Sequence, residues 1–120
     1  TFWSIHTAKT STRLYAESLI KGVLANQAAI DEHIRGSILN FSFERLASVD
    51  RNVLRVAVYE LAWCPEVPGP VILNEAIEVA KALSAGESGS FVNGVLDRLA
   101  KKLRPNEAKH SKAAPPSQED

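Results

Sequence analysis

Methionine is absent from all 120 residues, position 1 included. A translated chain begins with methionine, so the expectation is a fragment or a processed product. Cysteine occurs once, at Cys64. One thiol excludes an internal disulfide and any zinc site built from several thiolates. It sits between Trp63 and Pro65 at an expected helix end, with no histidine near it in sequence, and reads as structural and not as a nucleophile. Long apolar runs are lacking as well. The longest are a few residues, far below the roughly 20 that span a bilayer. Residues 1–11 lack the charged start and apolar stretch of a signal peptide. Neither sign of charge is in excess: 14 basic and 14 acidic residues give a formal net charge of zero. Whole-chain charge therefore gives no indication of nucleic-acid binding, and any RNA affinity has to rest on a local patch.

Catalytic and metal-binding patterns are equally scarce. His6, His33 and His110 are scattered, and the chain has no HExxH, CxxC, Walker loop or GxSxG. The glycines near position 86 read AGESGS, which does not match a phosphate cradle. Glu75 and Glu78 stand three apart on one helix face, but no second helix carries the matching acid and histidine that a two-helix carboxylate site needs. They read as surface acids pairing with Lys81 or Arg55. No enzyme, cofactor or metal is expected.

What is present is helical periodicity. Residues 12–26 space Tyr15, Leu19, Val23 and Leu24 along one face, with Thr10 or Ser11 as a cap whose hydroxyl would accept from a free amide. Residues 28–39 repeat Ile30, Ile34 and Ile38, with Asn26 as a cap or break. Phe41 and Phe43 are expected core plugs in the short segment 40–47. A third helix runs from Ser48 to about Trp63 with Val49, Val53, Leu54, Ala57, Val58 and Leu61 as a wide apolar stripe. Asp50 lies in its first turn, where the helix dipole favours an anion.

Residues 65–70 hold three prolines and a glycine and must form a loop. The next helix opens at Pro70 or Val71 and runs to about Leu83, with Ile72, Leu73, Ala76, Ile77, Ala80 and Leu83 inward. Residues 84–90 read as a loop into a last helix, 91–103, which buries Val92, Val95, Leu96, Leu99 and Leu103. Residues 105–120 are polar, contain Pro115–Pro116 and lack apolar periodicity, so a disordered tail is expected. With no alternating strand and no internal repeat, the expected fold is an all-α compact helical bundle: one domain over 1–104, then the tail 105–120.

Three strings in order, SVDRNVLRVAVYELAW, VPGPVILNEAIEVAKALS and SFVNGVLDRLAKKLRP, resemble consecutive helices of the NusB antitermination family. The upstream IDEHI and LNFSFERL are similar to the family's middle helices, and the likeness covers roughly residues 13–105. The resemblance implies a cytoplasmic, non-enzymatic RNA-binding factor. Such a factor binds boxA RNA together with NusE, a ribosomal small-subunit protein, and joins an RNA polymerase complex that resists termination, notably in ribosomal RNA operons. Family members occur as monomers and as homodimers.

Carried over residue by residue, the resemblance places RNA contact in the loop 85–90, with Glu87, Ser88 and Ser90, and in the helix start that follows, with Phe91 and Asn93. Phe91 would stack on an unstacked base, worth about 1–3 kcal/mol; its place four residues before Val95 equally suits a core residue. Glu87 would oppose phosphate by repulsion, and Asn93 would hold the loop through the backbone. Asp50 and Arg55 match positions implicated in holding NusE, with Tyr59 and Glu60 on the same helix. Arg55 equally suits an internal pair with Glu75 or Glu78.

Two departures stand out. The family's arginine-rich opening helix, of the type RRxARExALQxLY, has no counterpart here. Phe41 stands where the family commonly has tryptophan. Two other readings remain: the NusB-like domain of a ribosomal RNA cytosine-5 methyltransferase, and a helical module that binds protein alone. The first would continue well past residue 105 into a Rossmann-like domain.

Overall fold

The computed structural model describes residues 2–39, 42–83 and 88–107, with side chains from residue 13 onward in the first helix and from residue 90 onward in the last. Among the described residues the α-helices are α1 (Phe2–Ala25), α2 (Gln27–Arg35), α3 (Ser48–Trp63), α4 (Gly69–Leu83) and α5 (Ser88–Leu103). A single 3-10 turn, Phe43–Arg45, leads into α3. Among the described residues there is no strand, as expected for an all-α bundle.

The start of α1 corrects the expected cap at Thr10 or Ser11. The helix runs straight through both. No proline or glycine stands between Phe2 and Lys21, so nothing in the backbone stops it. Its other end is where the pattern put it. The Asn26 amide donates to the carbonyls of Gly22 (3.1 Å) and Val23 (3.2 Å), and its side-chain Nδ2 donates to the Gly22 carbonyl at 2.9 Å. Asn26 therefore closes α1; it makes no side-chain cap on α2.

Helix α3 is the hub. It packs against α1, α2, α4 and α5. Its stripe meets Ile30 and Ile34 of α2, Ile72 of α4 and Val92, Val95, Leu96 and Leu99 of α5 in one core, where Leu54 and Val58 are fully buried. Each such side chain contributes roughly 1.5–3 kcal/mol by leaving water. Phe43 is buried as expected; Phe41 lies outside the described residues. Helix α4 opens at Gly69, with Pro70 in its first turn, where a missing N–H costs nothing. Leu83, expected to face inward, is 65% exposed, and Tyr15 and Leu24, expected on the one apolar face of the first helix, are 47% and 65% exposed. They continue apolar stripes, but over those positions no described element covers the stripe.

Helix α5 starts at Ser88, a turn earlier than the expected Phe91. At its far end Arg104 ties the fold together. Its guanidinium donates to the carbonyls of Glu60 (3.1 Å), Leu61 (3.0 Å), Cys64 (2.8 Å) and Val67, and to Glu107 Oε1 at 2.9 Å. The carbonyls that end a helix have no partner within it, so one arginine serves as the C-terminal cap of α3. Glu107 Oε2 accepts from the Gly69 amide at 2.8 Å and serves the start of α4. Residues 105–107 of the expected tail are thus docked on the bundle; residues 108–120 lie outside the described residues.

Candidate nucleic-acid interface and partner face

The expected RNA-contacting residues fall at the start of α5. Glu87 lies outside the described residues, and Ser88 is placed by its backbone alone, at the helix start. Ser90 and Asn93 are exposed. They are three positions apart, about 60° around the helix at 100° per residue, so they share one outward face. Phe91 points elsewhere. It is half-buried and packs against the core cluster, on the side of Val95. The core contact that the sequence left open is therefore present, and part of the residue stays accessible at the helix start. Asn93 is about 160° away from it around the helix, so the two do not present a single face.

The four expected partner residues on α3 divide in the same way. Arg55 and Tyr59 are about 40° apart around the helix, and Asp50 lies about 140° from Arg55. Asp50 is buried, at 8% exposure. Arg55 donates from Nε to Asp31 Oδ1 at 2.8 Å and from its second arm to Asp31 Oδ2 at 3.0 Å. A bidentate pair of this kind is among the stronger charged contacts. The two side chains are 17% and 11% exposed, and removing one partner of such a pair typically costs about 3–5 kcal/mol. Asp31 is thus the partner of Arg55, in place of the expected Glu75 or Glu78. Glu78 instead stands 4.0 Å from Lys81 on the helix surface.

Tyr59 stacks on Trp63 with ring centroids 5.8 Å apart and 12° between planes, and its ring lies directly over Gly22 of α1. Glu60 accepts from the Tyr15 hydroxyl. That hydrogen bond first, then desolvation and the charge of Glu60, hold the Tyr15 phenol well above the usual tyrosine range. Tyr15 therefore stays a neutral donor.

Sequence reasoning missed Asp31, Phe43 as a cation platform, and the Arg104–Glu107 clasp. Asp31 follows Ile30 and precedes Ile34 by three, so it lies on the inward side of α2; that position was its one legible signal. The Phe43 ring has Arg35, Arg51 and Arg55 at 4.6, 5.7 and 5.5 Å from its centroid, within the range of cation–π attraction. Arg35 also pairs with Glu44 at 3.0 Å, and Arg51 donates to the carbonyls of Phe43 and Leu46.

Burial pushes the Cys64 thiol up, and Glu66 and Glu60 add to the shift. A thiol so placed is a poor nucleophile. Among the described residues no cluster of three His, Cys, Asp or Glu side chains could hold a metal ion, and no helix is long and apolar enough to cross a membrane.

Residues 4–101 match the family model described as the NusB family. The transcription antitermination protein NusB of Sorangium cellulosum (strain So ce56) is 50% identical over 103 residues, 86% of this chain and 74% of that protein. That of Acidothermus cellulolyticus (strain ATCC 43068 / DSM 8971 / 11B) is 43% identical over 115 residues, 94% of this chain and 77% of that protein. A solved structure of T. maritima NusB aligns with a TM-score of 0.76 at 42% identity, over 83% of this chain and 70% of that one. The Sorangium and Acidothermus relatives are named as transcription antitermination proteins, not as enzymes.

Proposed function

The chain belongs to the NusB family, and from that premise we propose that it acts in transcription antitermination in the cytoplasm. It binds boxA-type RNA together with NusE and joins the RNA polymerase complex that resists termination, notably in ribosomal RNA operons. The observation that carries this reading is the family match across residues 4–101, which takes in the start of α5 with its exposed Ser90 and Asn93 and its half-buried Phe91. RNA contact is assigned to Glu87, Ser88, Ser90, Phe91 and Asn93. NusE contact is assigned to α3, with Tyr59 and Glu60 touching the partner and Asp50 and Arg55 holding the helix in place beneath it.

The geometry of Phe91 decides how to test this. Phe91→Ala would remove core packing together with any stacking surface, so the informative variant is Phe91→Leu, which keeps an apolar side chain and loses the π-face. Anisotropy of a labelled boxA-type RNA, with NusE present, should give selectivity over a scrambled RNA. Phe91→Leu should weaken the boxA-type complex about fivefold or more, in keeping with roughly 1–3 kcal/mol per stacked base, at unchanged thermal stability within about 1 kcal/mol. Equal affinity for the two RNAs would remove the boxA function and leave the protein-only helical module.

A further inference from the structure

The described glycines are not alike. A Cβ built on Gly22 runs into the Tyr59 ring, one on Gly36 meets the Lys102 ammonium at 3.1 Å, and one on Gly69 meets the Glu107 carboxylate at 3.1 Å. A neighbour within the chain accounts for each of these. Gly94 differs: no described residue lies within 4 Å of a Cβ built there, and its φ is outside the left-handed range that favours glycine. It is also an interior residue of α5 (Ser88–Leu103). Glycine is disfavoured against alanine in a helix interior, because it has more backbone freedom to lose. A glycine that weakens its helix and makes room for nothing in its own chain marks a place where another molecule comes close to the main chain.

Its position on α5 identifies that molecule. At 100° per residue Gly94 lies about 40° from Ser90 and about 60° from Phe91, between the two. Ser90 is exposed and part of Phe91 is accessible. Arg98 follows one turn on, about 40° further round. Of its donors only Nε has a partner among the described residues, the Ser37 carbonyl at 2.7 Å. Asp97, the acid beside this strip, stands 3.1 Å from Lys101. Ser90, Gly94 and Arg98 thus present a hydroxyl, bare main chain and a cation in succession. Those are the groups that contact phosphate and sugar in nucleic-acid complexes.

We infer that the sugar–phosphate backbone of the bound RNA crosses α5 at Gly94, in van der Waals contact with its Cα, beside the base that stacks on Phe91. The inference rests on the RNA reading of α5. Gly94→Ala and Gly94→Gln place a short and a long side chain on that spot, and both residues suit a helix better than glycine. Each should raise the melting temperature of the free chain by roughly 4 °C. Anisotropy of a labelled boxA-type RNA, with NusE present, should show binding weakened about fivefold by Gly94→Ala and about twentyfold or more by Gly94→Gln, as overfilling a close contact does. Affinity for NusE alone should not change. A damaged fold cannot give higher stability together with lower RNA affinity. If Gly94→Gln binds as the parent does, while the parent prefers boxA-type over scrambled RNA, the inference is overturned and the RNA reading stands. A parent without that preference removes both. A lower melting temperature for Gly94→Ala would show that the fold itself needs the glycine, and weaker binding to NusE alone would place protein instead of RNA on Gly94; either result overturns the inference.

Discussion

Arg104 shows how one side chain can join three parts of a small fold. Its donors reach the carbonyls that end α3, the carbonyl of Val67 in the α3–α4 loop, and Glu107, whose other oxygen serves the first amide of α4. Arg104→Ala removes the side-chain donor from the Leu61 and Val67 carbonyls, and the second donor from those of Glu60 and Cys64, which keep the amides of Cys64 and Val67, at a cost on the order of 3 kcal/mol. The clasp also makes stability depend on pH. Arg104 first, and then the Gly69 amide, hold the Glu107 carboxyl below its ordinary value of 4.5. A carboxyl lowered in the folded state contributes stability that is present above about 4.5 and lost as pH falls through the lower folded value. Glu107→Gln should therefore be less stable than the parent at neutral pH, with the difference closing as the medium is acidified below about pH 4. Urea midpoints at both ends of that range test it; a difference that does not change with pH would mean that the carboxylate charge plays no part. Glu44 is lowered too, by Arg35, but that pair is exposed and should contribute little.

At the scale of elements, the contact between α1 and α3 turns on Gly22. A Cβ placed there would run into the Tyr59 ring, so the two helices approach as closely as they do because that side chain is missing. Gly22→Ala sets two effects against each other. Alanine is favoured over glycine inside a helix by about 1 kcal/mol, and forcing a ring out of its packed place costs roughly 1–3 kcal/mol. The clash should win, giving a net loss of about 1 kcal/mol. In a Tyr59→Leu background the ring is gone, and the same substitution should become stabilising. Thermal melts of the parent, the two single variants and the double variant test the reversal of sign; stabilisation by Gly22→Ala with Tyr59 intact would show that the ring moves aside freely.

The same elements show what was legible beforehand. Helix α3 could be bounded at both ends because a six-residue apolar stripe runs from Val49 to Leu61 and Pro65 stops the chain soon after Trp63. Helix α1 was not, because Thr10, Ser11 and Thr12 look like a cap in one dimension while nothing in the backbone halts the helix. The site was less legible than the fold. Asp31 and Arg55 are 24 positions apart, and the clasp sits in a segment that composition marks as tail. Pairings of this kind depend on how helices are placed against one another, which periodicity within a helix does not encode.

At the scale of the whole molecule, the zero net charge understates how few cations are free to meet an RNA. Of the seven arginines in the chain, five already donate to internal acceptors: Arg35 to Glu44, Arg51 to two carbonyls, Arg55 to Asp31, Arg98 to the Ser37 carbonyl, and Arg104 to the clasp. Among the described lysines, Lys81 and Lys101 stand beside Glu78 and Asp97. Each phosphate neutralised by a protein cation releases counterions, and log K then falls against log salt by about 0.7 per contact for a single strand. A chain whose arginines are mostly spoken for should make few such contacts. For the proposed RNA complex without NusE, the slope should be about −2 or shallower, and affinity should rest on stacking and hydrogen bonds at the start of α5. Anisotropy titrations across a series of potassium chloride concentrations measure it directly. A slope near −4 or steeper would mean that internal pairs open on binding, and Arg55 and Arg35, held by Asp31 and Glu44, would be the first to examine.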